Sequence, residues 1–506
     1  MTQVDNRKIA KNTLHMYLRM LVTMVVSLFT TRINFQALGI DNFGIYNIVG
    51  SIIVFFTFIN SGLTTATRRY ITAELAQGDE GSQQNVFNLA ILAHILIAIF
   101  ILILGETVGL WAVNQLLNIP TDRMIAANVV YQLSIFTAVL NIIQAPYTAA
   151  ITANERMSIY AFISIIEVFS KLAVAFGVMW IAGDKLIIYG LLLTLASTFV
   201  ILINIIYCQR VFSMCCLKRP HNRNLLKEFF NYMGWNLAGQ GAVVLTNQGV
   251  SVLINMFFNV AANAAMGLSN QITGIVTHFV SNFQVAFHPQ ITKLYVSKNY
   301  SDLMGLAKRC SRFSSYLVLI FIIPICFQIK NFLSLWLGEY PEYAIEFCLY
   351  TLVAIFIDSM SAPLWMILSA DKDVKKYQIV ISSIYSLNFI LSWAALNTGF
   401  LPYSVIIIRI IVYCIAVVAR ILLVKEKIEL FPIREWVREV PIKNILLVLI
   451  SFSCCYLLNF LTIKGRLGEL VIKGGMAFFV SCLVVFLIGM TKGERIFILN
   501  KLLKHN

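Results

Sequence analysis

Six charged side chains stand out because they fall inside long apolar runs: Arg19, Arg32, Lys171, Arg409, Glu167 and Asp358. A charge at the centre of a hydrocarbon layer costs ~2.5–3.5 kcal/mol on insertion scales, so each one is a candidate for function. The four cations have the chemistry to bind an anion, and the arginines can grip phosphate with two parallel hydrogen bonds. The two carboxylates have the chemistry to couple transport to a cation or a proton. Lys171 follows Glu167 by four residues in "IEVFSKLAVAF", one helical turn and the favourable order for an ion pair. That pair either neutralises itself or presents a cation to a cavity, with Glu167 tuning it. Asp358, in "FIDSMSAP", is either a coupling site or a packing group bonded among Ser359 and Ser361.

Arg19 and Arg32 sit toward opposite ends of one apolar run, where each can reach its own interface along its aliphatic stem. They are 13 residues apart, ~20 Å along a helix and roughly 140° around it. One unbent helix therefore cannot aim both at the same place. Arg409 is placed like Arg32, near the other end of its run.

The runs that carry these residues make the chain an all-α polytopic membrane protein. Of 506 residues, 59% are hydrophobic and 12% charged, about half the charge of a soluble domain. About fourteen runs reach the helical length that a hydrocarbon core requires. Among them are 14–38, 44–67, 229–257, 263–287, 311–337 and 343–369. A ten-residue alternating pattern is absent, which argues against an outer-membrane barrel. With the N-terminus in the cytoplasm, roughly three quarters of the 39 lysines and arginines fall on inner segments. Both termini are then cytoplasmic, and the net charge of +15 faces lipid headgroups rather than nucleic acid. The ten cysteines lack metal-ligand spacing, and no metal site is expected.

The sequence also repeats. "APYTAAITANERMSIY" from Ala145 and "APLWMILSADKDVKKY" from Ala362 share Ala145/Ala362, Pro146/Pro363, Ala153/Ala370 and Tyr160/Tyr377. A similar spacing relates 44–67 to 263–287. Two parallel six-helix lobes around a central cavity follow: an N-lobe, 1–213, and a C-lobe, 222–430. Residues 431–506 add two more membrane helices and a cytoplasmic tail. The basic stretch "KEKIELFPIREWVREVPIKN" before them is a candidate interfacial helix. Pro146, Pro363, Gly239 and Gly241 are the positions at which helices can bend or gate. No nucleotide-binding or hydrolytic motif is visible, so the chain is not expected to be an enzyme and needs no cofactor. Energy would come from Na+, H+ or the membrane potential.

The stretch "NRKIAKNTLHMYLRMLVTMVVSLFTTRINFQALGIDNFGIYNIV" (Asn6–Val49) resembles the start of bacterial Wzx-type polysaccharide flippases. The "APxxxxxxA" ends of the two repeat runs fit the same group. These flippases belong to the multidrug/oligosaccharidyl-lipid/polysaccharide exporter (MOP) superfamily. The resemblance implies movement of an undecaprenyl-pyrophosphate-linked oligosaccharide across the bacterial cytoplasmic membrane, for O-antigen or capsule biosynthesis. It implies a cationic cavity, to which Arg19, Arg32, Lys171 and Arg409 are the available contributors. Implied partners are membrane lipids, a polysaccharide polymerase and glycosyltransferases. A cation-coupled multidrug exporter, a lipid II flippase, and a channel or structural subunit of an envelope assembly are the rival readings. A drug-cation pump favours acidic cavity residues, and central carboxylates here are few.

Overall fold

A computed structural model describes residues 6–77, 80–154, 156–218, 244–285, 287–371, 375–460, 463 and 465–496. Among these residues the chain is helical throughout and contains no strand. Gly239 and Gly241, and most of the run 229–257, lie outside the described residues. Ten helices are long and apolar enough to cross a membrane, or 11 if one bent pair is a single span. The expected count of about fourteen is higher for three reasons. Runs 14–38 and 44–67 merge into one helix, 229–257 is largely undescribed, and 263–287 forms a long helix too polar to qualify. The contacts divide the chain into two compact units, Met1–Ala264 and Ala265–Asn506.

The first unit begins with α1 (Asn6–Gln77), which is broken at Gly39 (φ 76°). Only glycine takes that left-handed conformation without strain, and it separates a first arm from a second. Next come α2 (Glu80–Leu104), α3 (Met124–Ala153), α4 (Met157–Trp180), α5 (Lys185–Val211) and the short α6 (Val250–Phe257). Pro146 lies buried inside α3, which runs through it without a break. The first unit extends past 213 because α6 and the start of α7 (Val260–Val285) pack on α1. A Cβ on Gly44 would come within 2.0 Å of the Val260 carbonyl oxygen, so glycine at 44 permits that approach. Asn118 donates from its backbone N–H to Asn255 (2.7 Å) and from its side chain to the Phe258 carbonyl (2.6 Å).

One arginine ties three connections of this unit together. Arg123, just before α3, makes a two-pronged ion pair with Asp184 (2.7 and 3.0 Å) and donates to Asn42 beyond the α1 break (2.7 Å). Asp184 also caps α5, accepting from the backbone N–H of Leu186 and Ile187. The Arg123 guanidinium holds the Asp184 carboxyl below the usual carboxylate range. A depressed folded value means the pair stabilises fully above the ordinary range, ~3.9, and less as pH falls through the lowered value. Arg123→Ala should therefore lower stability by about 1–2 kcal/mol at neutral pH. Thermal unfolding in detergent checks this, and the gap from wild type should shrink on acidification. An equal gap at acid and neutral pH would show that the ion pair is not its source.

The second unit takes in most of α7, then α8 (His288–Val296), α9 (Tyr300–Phe327) and α10 (Ile329–Leu337). The run read as 311–337 is thus two helices: Pro324 cannot donate into the ladder, and the chain restarts at Gln328. The run 343–369 likewise divides into α11 (Ala344–Met360) and α12 (Ala362–Ala370), bent by 44°. Then come α13 (Lys375–Asn397), α14 (Ser404–Lys427), α15 (Ile433–Val437), α16 (Lys443–Tyr456) and α17 (Arg466–Val484).

The stretch expected as an interfacial helix instead leads into α16, making one helical segment over Ile433–Tyr456. It is drawn onto α9: Lys308 pairs with Glu435 (2.5 Å), and Trp436 beside it is buried. The C-terminal helices are fastened to α9 as well. Asn444 donates to Ser315 (2.7 Å), Tyr316 donates to the Gly489 carbonyl (2.7 Å), and Arg312 pairs with Glu494 (2.5 Å).

Candidate functional site

In the first unit the cations converge on one face of α4. Tyr160, Ser164, Glu167 and Lys171 are spaced by four, three and four residues, which stacks them in a stripe along the helix. The α1 first arm lies against α4. Arg19 crosses to the start of that stripe, with its guanidinium 5.0 Å from the Tyr160 ring centre and 3.5 Å from the Ser164 hydroxyl. Lys171 follows two turns on, ~10 Å further along α4. Its ammonium pairs with Glu167 at 2.5 Å, and both side chains stay accessible, at 44% and 45%. The i,i+4 pair read from the sequence is therefore formed, and it is open to solvent or ligand.

Arg32 does not join this stripe. The backbone of the α1 first arm is unbroken between Arg19 and Arg32, since the only non-helical position in α1 is Gly39. The ~140° offset therefore stands, and Arg32, partly buried, has no hydrogen-bond or ion-pair partner among the described residues. Its neighbour Asn34 instead donates to Tyr189 (3.0 Å), whose ring meets Tyr46 edge-on at 4.9 Å.

In the second unit the structure builds a cluster that sequence reasoning missed. Asp358, near the end of α11, accepts from Arg420 of α14 at 2.9 Å. The same guanidinium donates to Ser361 (2.5 Å), at the α11–α12 bend, and to the Tyr385 hydroxyl of α13 (2.7 Å). The Tyr385 hydroxyl in turn lies 3.5 Å from Asp358. Arg420 is 6% exposed, whereas Asp358 remains 46% exposed. Pro363 opens α12 immediately after the bend, so this proline sits where the helix is broken. Four side chains from α11, α13, α14 and the bend thus meet on one buried guanidinium.

Arg409 belongs to the same helix as Arg420, 11 residues earlier and so on nearly the same face. It is buried, with Tyr413 one turn on, and the Tyr413 ring lies 5.6 Å from Tyr385. The sequence puts Arg420 among the loop cations because Lys425 and Lys427 follow it closely. The usable signal was its three-turn register with Arg409 and Tyr413. No group of three or more His, Cys, Asp or Glu able to hold a metal occurs among the described residues.

No protein-family model matches the chain. A Bacillus subtilis (strain 168) protein described as uncharacterized membrane protein EpsK is 18% identical over 496 residues, 96% of each chain. The lipid II flippase MurJ, in an inward closed conformation, matches with a TM-score of 0.70 at 12% identity, over 94% of this chain and 99% of its own. An inward-facing multidrug resistance MATE family transporter of the MOP superfamily matches at 0.62 and 11% identity, over 81% and 97%. The chain has the fold of MOP-superfamily transporters. A MOP transporter from Pyrococcus furiosus, described by the reversed polarity of its binding pocket, shares this fold at 0.57 and 13% identity, over 83% and 96%. Within this MOP fold, the charged residues singled out from the sequence fall into two groups. Arg19, Glu167 and Lys171 are gathered at α1 and α4, and Asp358 and Arg409 lie around the α11–α14 cluster.

Proposed function

We propose that the chain is a flippase for an undecaprenyl-diphosphate-linked oligosaccharide, working by alternating access in the bacterial cytoplasmic membrane to supply O-antigen or capsule synthesis. The observation that carries this reading is the extent of the likeness to the lipid II flippase. It reaches 94% of the chain, against 81–83% for the MATE transporters. The difference is about the size of residues 431–506, the C-terminal helices that α9 holds in place.

The site chemistry supports an anionic headgroup. A diphosphate leaving water needs fixed positive charge, and the α4 stripe offers Arg19 and an accessible Lys171. Ser164 and Tyr160 lie between them as hydrogen-bonding groups. Arg32 and Arg409 are the further cations in this reading, and Asp358 and Glu167 are the groups that couple movement to Na+, H+ or membrane potential. A polymerase and glycosyltransferases would act on the same lipid-linked intermediate, and both termini would face the cytoplasm.

The test is reconstitution of the full chain in vesicles carrying a fluorescent undecaprenyl-diphosphate-linked sugar in one leaflet. Protein-dependent appearance of the probe in the other leaflet, read by quenching, is the expected result. Loss of the reading follows if vesicles with and without protein behave alike. The likeness to the lipid II flippase also favours a second reading, with lipid II as cargo. Faster movement of lipid II than of other lipid-linked oligosaccharides in the same vesicles would select it.

A further inference from the structure

The first unit encloses a cavity of ≈ 430 Å3 between the second arm of α1, α3 and α5. That is large enough for one ligand of sugar size. Its lining differs in kind from the α4 stripe: it contains no charged residue. Polar groups there are hydroxyls and amides, interleaved with aliphatic side chains and the ring of Tyr46.

Several of these polar groups have hydrogen-bonding capacity to spare. The Asn60 side-chain oxygen is buried and accepts from nothing among the described residues. Ser134 and Asn141 are two turns apart on the same face of α3, and neither side chain hydrogen-bonds another described group. Thr137 and Thr194, by contrast, satisfy each other across α3 and α5 at 3.1 Å. A buried amide oxygen without a donor is unfavourable, so the cavity is built to receive a ligand or water that donates. An asparagine amide offers a donor and an acceptor side by side, which suits adjacent hydroxyls. The aliphatic and aromatic walls suit the C–H faces of a ring. A diphosphate does not fit, because nothing in the lining would balance its charge.

We infer that this cavity binds a neutral pyranose of the lipid-linked cargo, as a sugar subsite distinct from the cations that receive the phosphates. The inference rests on the flippase reading and adds where the uncharged part of the cargo is recognised.

Gly50 provides a clean way to close it. Gly50 lines the cavity, and a Cβ built on it meets no atom within 4 Å. Leucine at 50 therefore projects into open space, and it favours a helix more than glycine does. The experiment uses the full chain in lipid nanodiscs and two probes: undecaprenyl diphosphate, and the same lipid bearing one N-acetylglucosamine. Wild type is expected to bind the sugar-bearing lipid about 10-fold more tightly, a preference worth ~1.4 kcal/mol. Gly50→Leu should abolish that preference while leaving affinity for the bare lipid unchanged, and the Asn60→Leu/Asn141→Leu double variant should do the same. A preference that persists in Gly50→Leu overturns the inference. Equal binding of both lipids by wild type overturns it while leaving the flippase reading standing. Failure of wild type to bind either lipid removes both.

Discussion

Arg420→Gln is expected to lower the unfolding midpoint of the purified chain by about 5 °C, the largest stability loss among the charge substitutions considered. The guanidinium is almost wholly buried and holds Asp358, Ser361 and Tyr385 at 2.9, 2.5 and 2.7 Å. Removing one partner of a fully buried ion pair costs about 3–5 kcal/mol, because the other charge is left unpaired. Asp358 is 46% exposed, so water recovers part of that. A net loss of about 2 kcal/mol remains, and for a unit of this size each kcal/mol moves the midpoint by roughly 2–4 °C. The double variant Arg420→Gln/Asp358→Asn should recover much of the stability, since neither charge is then stranded. It should not recover transport if the pair controls the α11–α12 bend. A single variant as stable as wild type would show that the guanidinium does not organise this part of the second unit.

This cluster also shows where the sequence stops being legible. The apolar runs were readable because hydrocarbon solvent imposes a strict length and leaves each helix to satisfy its own backbone. Gly39 and Pro363 were readable for a related reason: the break in α1 and the start of α12 fall on residues whose backbone preferences are strong. The Glu167–Lys171 pair is local, one turn on one helix, and it forms as its spacing predicts.

Arg420 is a different kind of case. Its partners come from 35 to 62 residues away, on α11, α13 and the bend. No periodicity within α14 announces them, and the basic residues that follow disguise it as part of a flank. The Asn60–Asn141 cavity was half legible: both asparagines are conspicuous in apolar surroundings, but their meeting depends on how α1 packs against α3. Polar residues in a membrane helix mark themselves by type, while their partners are set by tertiary packing that the pattern of one helix does not encode.

Lys171→Ala is expected to reduce transport of the lipid-linked oligosaccharide at least 10-fold, with Lys171→Arg within a few-fold of wild type. Two observations carry the size of the effect. The ammonium is 44% exposed, so it can reach a ligand, and it shares the α4 face with Ser164, where Arg19 docks. Two unit charges 4 Å apart interact by about 4 kcal/mol at an effective dielectric of 20. Solvent access and the competing Glu167 carboxylate at 2.5 Å reduce what a bound phosphate gains. A residue of ~1.4 kcal/mol already gives the 10-fold loss. The competition makes Glu167 the informative second position. Glu167→Gln removes the anion that a phosphate must displace, so it should tighten binding of undecaprenyl diphosphate and slow its release. Unloading would then limit turnover. Lys171→Ala should weaken the same binding, and Lys171→Ala/Glu167→Gln should fall between the two single variants. Full transport by Lys171→Ala would remove the α4 stripe as the phosphate site. An unchanged affinity in Glu167→Gln would show instead that the carboxylate serves only to make Lys171 tolerable within its helix.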